Sequence, residues 1–252
     1  MQRTPILLFL AISLFFLTLF PICPATAQER LRVAVAANFM APIQEIARQF
    51  STSTGIAVEP TFSSTGQLFA QIVNGAPYDG FLAADEERPA LLHQKGLADT
   101  PFVYARGEVV LWTARRELCG KPGWREVLQS PEVRKIAIAN PKIAPYGAAA
   151  MAALEKAGLV QVVQDRLVFA QTIAQAFQYT VSGAADIGLC ARSSTLTESG
   201  RGGCTYTIAE APPVVQGACL ILKTSKRDAT ERFLRFLASP EALSVKQKYG
   251  YR

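Results

Sequence analysis

Histidine is nearly absent from this sequence, since His93 is the only one among 252 residues. It lies in the segment Leu91-Leu92-His93-Gln94-Lys95, which is typical of the end of an exposed helix. Ser–His–Asp and Cys–His catalysis would both depend on this single side chain, and the G-x-S-x-G nucleophile elbow is also missing. The predicted strand ends carry no pair of carboxylates for general acid–base chemistry. We therefore expect no enzymatic activity, and a secreted hydrolase remains only a remote alternative.

The sequence also lacks a concentrated basic region. Lys and Arg outnumber Asp and Glu by 26 to 20, which gives a formal net charge of +6, but the excess is spread along the chain. A nucleic-acid-binding protein usually gathers its basic residues into a stripe with interleaved aromatic side chains. Nucleic acid is therefore not an expected partner, whereas a small anion or a membrane surface is compatible with this charge.

Long hydrophobic runs are confined to the N-terminus. Residues 1–27 begin with a single positive charge, continue with an apolar run over 5–23 and end in Ala25-Thr26-Ala27. This pattern predicts a secretory signal peptide that is cleaved before Gln28. Because the run is almost long enough to span a bilayer, a retained membrane anchor is the alternative, and a lipid anchor at Cys23 is a weaker one. We expect an exported protein.

Cysteines are few, and none forms a C-x-x-C motif, so the sequence does not favour a zinc or redox site. After the predicted cleavage point the chain retains Cys119, Cys190, Cys204 and Cys219. An even number in an exported chain predicts up to two disulfides, with three possible connectivities. The residues alone do not assign the pairs, although a bridge between Cys119 and Cys204 would join two loops of the predicted second lobe.

Short apolar runs alternate with helical stripes along the rest of the chain. Ile43, Ile46, Ala47 and Phe50, for example, fall at the i, i+3, i+4 and i+7 positions of one helix face, and Gly55 follows as a stop signal. Alternation of strands and helices predicts an α/β fold with mostly parallel sheets that helices cover on both faces. The predicted strands are Leu31–Ala36, Ile56–Phe62, Gly80–Ala84, Glu108–Thr113, Lys135–Ala139, Leu167–Ala170, Ile187–Cys190, Cys204–Ile208 and Val214–Leu222.

Two such α/β series follow each other without a flexible linker or an internal repeat. This predicts two lobes joined by strands that cross between them. We place the first lobe at residues 28–107 and 217–252, and the second lobe at residues 108–216.

The turns that join strands to helices carry polar but uncharged residues. They are Ala37-Asn38, Ser64-Thr65, Pro145-Tyr146-Gly147 and Gln171-Thr172-Ile173. In open α/β sheets, ligands bind beyond the carboxyl ends of the strands. Helix starts offer unpaired N–H groups and a positive dipole end there, although Asn, Ser and Thr at these positions are also ordinary helix caps. The turns therefore serve either as caps alone or as an anion site without a counter-charge.

Several longer segments resemble one known family. The most specific are residues 70–79, Ala-Gln-Ile-Val-Asn-Gly-Ala-Pro-Tyr-Asp, and residues 140–147, Asn-Pro-Lys-Ile-Ala-Pro-Tyr-Gly. Shorter matching segments lie at 34–39, 63–66, 83–86, 110–112, 182–186 and 249–251. Over essentially the whole chain after residue 27, the sequence resembles the periplasmic molybdate-binding proteins of ABC transporters, which are type II periplasmic binding proteins.

This resemblance implies a two-lobed α/β protein with its ligand in the cleft between the lobes. It implies a periplasmic protein that captures molybdate or tungstate and passes the oxyanion to a membrane permease. The metal oxyanion is then a transported ligand, and no cofactor is implied. We expect a monomer.

The resemblance also implies which residues contact the oxygens of the metal oxyanion, without direct ligation of the metal. The first-strand position, Ser or Asn in the family, falls on Asn38. The family serine after the second strand falls on Thr65, with Ser64 beside it. Backbone donors fall on Tyr146 and Ile173. A tyrosine that some members place after a later strand is replaced by Ala191 here, which puts this chain nearer the subgroup with tyrosine at position 146.

The chemistry of these turns fits a tetrahedral dianion, because such an ion has no proton to donate and needs only donors around it. Phosphate, which stays partly protonated near neutral pH, would also need an acceptor. Sulfate has the same charge and shape, so sulfate, phosphate or chromate remains the alternative ligand. A Fe(III) site would need clustered tyrosines and carboxylates at these turns. We expect Asp79 and Asp186 to be structural residues, and Trp112 and Trp124 to be core or lobe-surface aromatics and not binding platforms.

Overall fold

Two five-stranded sheets organise the computed structural model, which describes residues 29–252. The strands are β1 (Arg30–Ala36), β2 (Ala57–Ser63), β3 (Gly80–Leu82), β4 (Phe102–Gly107), β5 (Val109–Thr113), β6 (Ile136–Ala139), β7 (Leu167–Ala170), β8 (Ile187–Ala191), β9 (Cys204–Thr207) and β10 (Val214–Leu220). The helices are α1 (Met40–Thr54), α2 (Thr65–Val73), α3 (Glu87–Gln94), α4 (Trp124–Leu128), α5 (Pro145–Lys156), α6 (Val160–Val163), α7 (Ile173–Val181), α8 (Arg192–Thr195), α9 (Arg227–Phe236) and α10 (Pro240–Lys248).

The two sheets have the same kind of topology. The first sheet has the order β2-β1-β3-β10-β4, and only β10 runs against the other four strands. The second has the order β7-β6-β8-β5-β9, with β5 as the strand of opposite direction. Each sheet and the helices packed on it form one lobe, which confirms the predicted two-lobed α/β fold with mostly parallel sheets.

The chain passes between the lobes twice. It leaves the first sheet between β4 and β5 and returns to it between β9 and β10. The lobe bounds derived from the sequence, 28–107 with 217–252 and 108–216, stay a prediction. The sequence pattern does not predict β4, because Phe102 and Val103 are exposed while Tyr104 and Ala105 are buried, which breaks the alternation expected of a strand.

Local sequence signals account for most helix bounds. In α1, Ile43, Ile46 and Phe50 are buried, and Gly55 ends the helix with a positive φ of 75°. Ser64 and Thr172 cap α2 and α7 by accepting hydrogen bonds from backbone N–H groups three residues later. Helix α5 begins at Pro145, three residues before the alanine-rich segment that starts at residue 148, because proline is well suited to the first helical position.

The cysteines form one disulfide, between Cys119 and Cys204, with a Cα–Cα distance of 5.6 Å. This bridge joins the loop after β5 to the edge strand β9 within the second lobe. Cys190 and Cys219 are free and buried. They belong to different sheets, so the second bridge that the even cysteine count allowed does not form.

Other predicted surface and core residues lie where the sequence places them. His93 is exposed near the end of α3, and Trp112 and Trp124 are buried. The predicted signal peptide, residues 1–27, lies outside the described residues. Between residues 29 and 252, the helices are all too short or too polar to cross a membrane.

Candidate ligand-binding site

Four helix starts meet at one small cavity between the lobes. The cavity has an empty volume of about 200 Å³. It contains all five predicted ligand-binding residues in its lining, which consists of Ala36, Ala37, Asn38, Ser63, Ser64, Thr65, Ala84, Ala144, Pro145, Tyr146 and Ile173. None of these lining residues, all within the described part of the chain, is charged. The space that remains free between these atoms is small, with room for about one water-sized group.

Two hydroxyl groups of the first lobe are buried beside this cavity. Ser64 Oγ accepts a hydrogen bond from the backbone N–H of Gln67 at 3.4 Å, and Thr65 Oγ1 accepts one from the N–H of Ala84 at 3.0 Å. Their residues are only 3% and 1% exposed. Because each oxygen already serves as an acceptor, its own hydroxyl hydrogen remains available to donate.

Backbone N–H groups of the second lobe complete the set of donors. In α5, the first intrahelical bond runs from Ala148 N to Ala144 O, so the N–H of Tyr146 precedes it and has no acceptor within the helix. In α7, Ala176 N donates to Thr172 O, and the N–H of Ile173 is likewise unpaired within its helix. The positive ends of two helix dipoles thus face the cavity.

Asn38 lies in a short 3-10 turn, Ala37–Phe39, directly after β1. Its amide Nδ2 donates to Gln216 Oε1 at 2.8 Å and to the Tyr251 hydroxyl oxygen at 3.0 Å. The amide Oδ1 is buried and has no hydrogen-bond partner within the described residues. Asn38 therefore borders the cavity, but its side-chain N–H groups are engaged with residues that the sequence did not indicate.

A buried polar network continues behind Asn38. Gln216 Oε1 also accepts from the Tyr104 hydroxyl at 2.9 Å, and Gln216 Nε2 donates to the Tyr146 hydroxyl oxygen at 3.2 Å. The Tyr251 hydroxyl donates to the main-chain oxygen of Asn38 at 2.8 Å. The network joins β4, β10 and the C-terminus of the first lobe to the start of α5 in the second lobe.

The tyrosines of this network remain neutral. Burial raises the pKa of Tyr104 and of Tyr146 well above the ordinary value, and it also raises the pKa of Tyr251. Their hydroxyl groups therefore keep their hydrogens near neutral pH and act as donors as well as acceptors. The region behind the cavity carries no negative charge from these groups.

The two lobes are in direct contact around the cavity. The N–H of Gly66 donates to the main-chain oxygen of Ile143 at 2.9 Å, and Gln67 Nε2 donates to Gln171 Oε1 at 3.3 Å. A β-carbon added at Gly66 would lie 3.1 Å from the Ile143 backbone, which is tighter than an ordinary contact, so glycine eases this approach. At the crossing between β4 and β5, a β-carbon at Gly107 would clash with the Tyr146 hydroxyl. The structure is thus a closed arrangement of the lobes.

Asp79 and Asp186, the carboxylates predicted to be structural, hold loops in place. Asp79 Oδ2 lies 3.3 Å from Lys226 Nζ, and Asp186 accepts hydrogen bonds from the N–H groups of Arg134 and Lys135. Burial alone would raise the pKa of Asp186, but these N–H donors and the Arg115 guanidinium outweigh it and lower the pKa. Neither carboxylate lines the cavity.

Residues 29–252 contain no cluster of side chains that could ligate a metal ion directly. No group of three or more His, Cys, Asp or Glu side chains comes together there in an arrangement that could hold a metal ion.

The model of one protein family, described as bacterial extracellular solute-binding protein, matches residues 31–252. The chain belongs to this family.

Individual relatives of this solute-binding protein agree with that assignment. The molybdate-binding protein ModA of Azotobacter vinelandii is 39% identical over 238 residues, which cover 91% of this chain and 92% of that protein. The molybdate-binding protein ModA of Rhodobacter capsulatus is 39% identical and covers 90% of each chain. The solved structure of the Azotobacter vinelandii periplasmic molybdate-binding protein superposes with a TM-score of 0.82 at 36% identity, covering 88% of this chain and 98% of that one. The resemblance found in the sequence is confirmed.

Local sequence reasoning about this solute-binding protein misses the partners of Asn38. Gln216, Tyr104 and Tyr251 lie far from Asn38 along the chain and meet it only in the folded protein. One signal was available for Gln216, which is a polar residue inside the apolar strand Val-Val-Gln-Gly-Ala-Cys-Leu and is fully buried there. A buried amide in such a strand needs hydrogen-bond partners.

Proposed function

We propose that this solute-binding protein captures molybdate or tungstate between its lobes and delivers the oxyanion to the membrane permease of an ABC transporter. The observation that carries the proposal is the neutral cavity at which four helix starts converge. Similarity to two molybdate-binding proteins over nine-tenths of the chain supports the choice of ligand.

The donors around the cavity fit an ion that offers only acceptors. Thr65 and Ser64 supply hydroxyl hydrogens, and Tyr146 and Ile173 supply backbone N–H groups at helix starts. Asn38 adds the N–H groups of its 3-10 turn. These groups contact the oxygens of the oxyanion and not the metal atom. A hydrogen bond to a charged group contributes about 1.5–3 kcal/mol, so about six of them, less the costs of ordering and desolvation, are compatible with a micromolar to nanomolar dissociation constant.

The remaining parts of the proposal concern the cell. The protein acts in the periplasm after removal of residues 1–27, as a monomer, and its macromolecular partner is the permease. Its role is binding without catalysis, because the residues lining the cavity provide neither a carboxylate nor an imidazole for proton transfer.

A protonated oxyanion such as hydrogen phosphate is the second candidate ligand, and one observation favours it. The unpartnered Oδ1 of Asn38 is an acceptor, and a protonated oxyanion would supply the hydrogen it lacks. A fully deprotonated dianion instead favours the Asn38 amide rotated by 180°, with Nδ2 in the present place of Oδ1. If the Gln216 amide rotates in the same way, Gln216 Nε2 then donates to Asn38 Oδ1, and the hydrogen bond between the two side chains is kept.

The experiment is a thermal-shift and calorimetry panel on residues 28–252 with molybdate, tungstate, sulfate, phosphate, chromate and Fe(III). At a free concentration about 100 times the dissociation constant, linkage adds about 2.7 kcal/mol of stability. For a chain of this size this raises Tm by roughly 5–11 °C. We expect that shift with molybdate and tungstate. A large Tm shift with sulfate or phosphate alone would support the cavity as the binding site but contradict molybdate and tungstate as its ligands. The absence of a Tm shift with every oxyanion would contradict both the site and the ligands.

A further inference from the structure

The C-terminal segment, residues 249–252, bridges the two lobes. On the first lobe, the main chain of Arg252 exchanges two hydrogen bonds with Arg106 of β4, at 2.7 and 3.0 Å. On the second lobe, a β-carbon added at Gly250 would lie 3.1 Å from Leu196 Cδ1, so this backbone packs directly beside the residue that follows α8. The segment is thus attached to one lobe by its backbone and touches the other.

Ion pairs reinforce this bridge at the point where the chain crosses between the lobes. Glu108, between β4 and β5, pairs with Arg252 at 2.7 Å and with Arg192 of α8 at 2.8 Å. The arginine side chains are 79% and 44% exposed, so these pairs contribute little stability on their own. They do hold the C-terminus close to α8.

Tyr251 places a polar group inside this bridge. Its residue is 3% exposed, and its ring packs edge-on against Phe39 with 5.1 Å between the ring centroids. Its hydroxyl donates to the main-chain oxygen of Asn38 at 2.8 Å and lies 3.0 Å from Ser193 Oγ of the second lobe. Ser193 Oγ in turn donates to the same Asn38 oxygen at 2.9 Å.

We propose that Tyr251 is a positioning residue that couples closure of the lobes to the orientation of Asn38 at the ligand cavity. The inference rests on the proposed function, since it concerns how the same site is held. With the lobes closed, the Tyr251 hydroxyl and Ser193 together fix the Asn38 turn from both lobes. Separation of the lobes removes Ser193, and the turn that presents Asn38 to the ligand then loses the contacts that come from the second lobe.

The chemistry of the contact explains why a tyrosine is needed. Phenylalanine would fill the same space beside Phe39, but it would leave Asn38 Nδ2 and the Asn38 main-chain oxygen each without one of their present partners. A role limited to packing requires the ring alone. A positioning role requires the hydroxyl.

The test compares Tyr251→Phe, Ser193→Ala and the double variant by calorimetry with molybdate and by stopped-flow dissociation. We expect Tyr251→Phe to weaken binding about tenfold, mainly through faster dissociation, because one hydrogen-bonded link in the closed state is lost. The double variant should bind little more weakly than the worse single variant, since both substitutions disrupt one network, in which the two hydroxyl groups share the Asn38 main-chain oxygen. Tyr249→Phe, the same change two residues away on the same segment, is the matched control and should bind as the wild type does.

A second measurement does not depend on the ligand. Spin labels on Arg48→Cys in α1 and Gln161→Cys in α6 report the distance between the lobes, and the native free thiols of Cys190 and Cys219 are buried. In the ligand-free protein, Tyr251→Phe should shift the distance distribution toward longer values, and Tyr249→Phe should not.

The proposal would be overturned if Tyr251→Phe lowers Tm but changes neither the affinity for molybdate nor the distances between the lobes. Tyr251 would then have a structural role only. Additive losses in the double variant would also contradict it. If the wild type binds none of the oxyanions, the proposed function fails, whereas the ligand-free distances still decide the coupling. Should Tyr251→Phe not fold, Ser193→Ala alone tests the same link from the other lobe.

Discussion

Thr65 Oγ1 accepts a hydrogen bond of 3.0 Å from the N–H of Ala84, which leaves the Thr65 hydroxyl hydrogen free for a ligand in the cavity. Thr65→Ala should therefore have two separate effects. Loss of one donor to a charged ligand weakens binding about ten- to a hundredfold, and the unpaired N–H of Ala84 lowers the free energy of unfolding by about 1–3 kcal/mol. Calorimetry and urea denaturation measure the two. Thr65→Ser keeps the hydroxyl and should retain both properties, and wild-type affinity in Thr65→Ala would remove Thr65 from the site.

Asn38→Asp should abolish tight binding, because it places a carboxylate beside a dianion in a buried cavity. Repulsion between two like charges there is several times stronger than in water, so we expect a loss of about a hundredfold or more. Asn74→Asp makes the same change of charge at an exposed position after α2 and serves as the control. Full oxyanion affinity of Asn38→Asp by calorimetry would show that the site is placed wrongly.

Ile173→Ala should lower the stability of the protein but change its affinity for the oxyanion little, because the proposed donor is the backbone N–H of Ile173 and not its side chain. The side chain is buried in the core of the second lobe, so its truncation lowers the free energy of unfolding by about 2–5 kcal/mol. Affinity, measured at a temperature where the variant stays folded, should change by no more than severalfold. A loss comparable to that of Thr65→Ala would mean that the side chain itself contacts the ligand.

Alkaline pH should destabilise the protein through its free thiols. Burial raises the pKa of Cys219 to about 12 and that of Cys190 further above the ordinary value. The thiols stay protonated in the folded state, but in the unfolded chain they ionise near about pH 8.5. Their contribution to the free energy of unfolding is therefore complete below about pH 8.5 and is lost as the pH rises from there toward the pKa of the thiols in the folded protein. The expected decline is at most about 1.4 kcal/mol per pH unit for each thiol.

Urea denaturation at a series of pH values between about 7.5 and 11 measures this decline. The Cys190→Ala and Cys219→Ala double variant should show a shallower slope than the wild type. The buried tyrosines Tyr104, Tyr146 and Tyr251 contribute equally to both proteins, so equal slopes would contradict the assignment to the thiols.

The single disulfide determines how many reactive thiols the unfolded protein should have. Residues 28–252, denatured without reductant, should expose two reactive thiols, from Cys190 and Cys219, and four after reduction. Replacing Cys119 and Cys204 with serine should lower the free energy of unfolding by about 2–4 kcal/mol, because the unfolded chain gains freedom. Four reactive thiols before reduction would show that the bridge does not form.

The positions of the helix starts could be predicted from the sequence because their signals are local. Ser64 and Thr172 precede helical stripes as capping residues, and the turn that contains Pro145 lies at the start of α5, although the helix begins three residues before its alanine-rich run. Since these helices follow strands of mostly parallel sheets, their starts lie at the same edge of each sheet. This explains why Thr65, Tyr146 and Ile173 border one cavity although more than a hundred residues separate the first from the last.

The hydrogen bonds of Asn38 could not be predicted in this way. Gln216 and Tyr251 are 178 and 213 residues away along the chain, and no periodic pattern links such positions. The number of disulfides was open for the same reason. Cys190 and Cys219 each occupy an ordinary buried strand position, and only the assembled sheets show that they belong to different lobes.

The place of β10 in the first sheet has a consequence for how the chain acquires its structure. This strand lies between β3 and β4, although more than a hundred residues of the chain separate it from either. All five strands of the second sheet precede β10 along the chain, so the second lobe can complete its sheet first. The first sheet is complete only when residues 214–220 are present, and the core of the first lobe also needs the buried Tyr251 near the C-terminus. Such distant contacts form slowly. The first lobe, with its share of the cavity lining, therefore completes its structure only when the C-terminal residues are present.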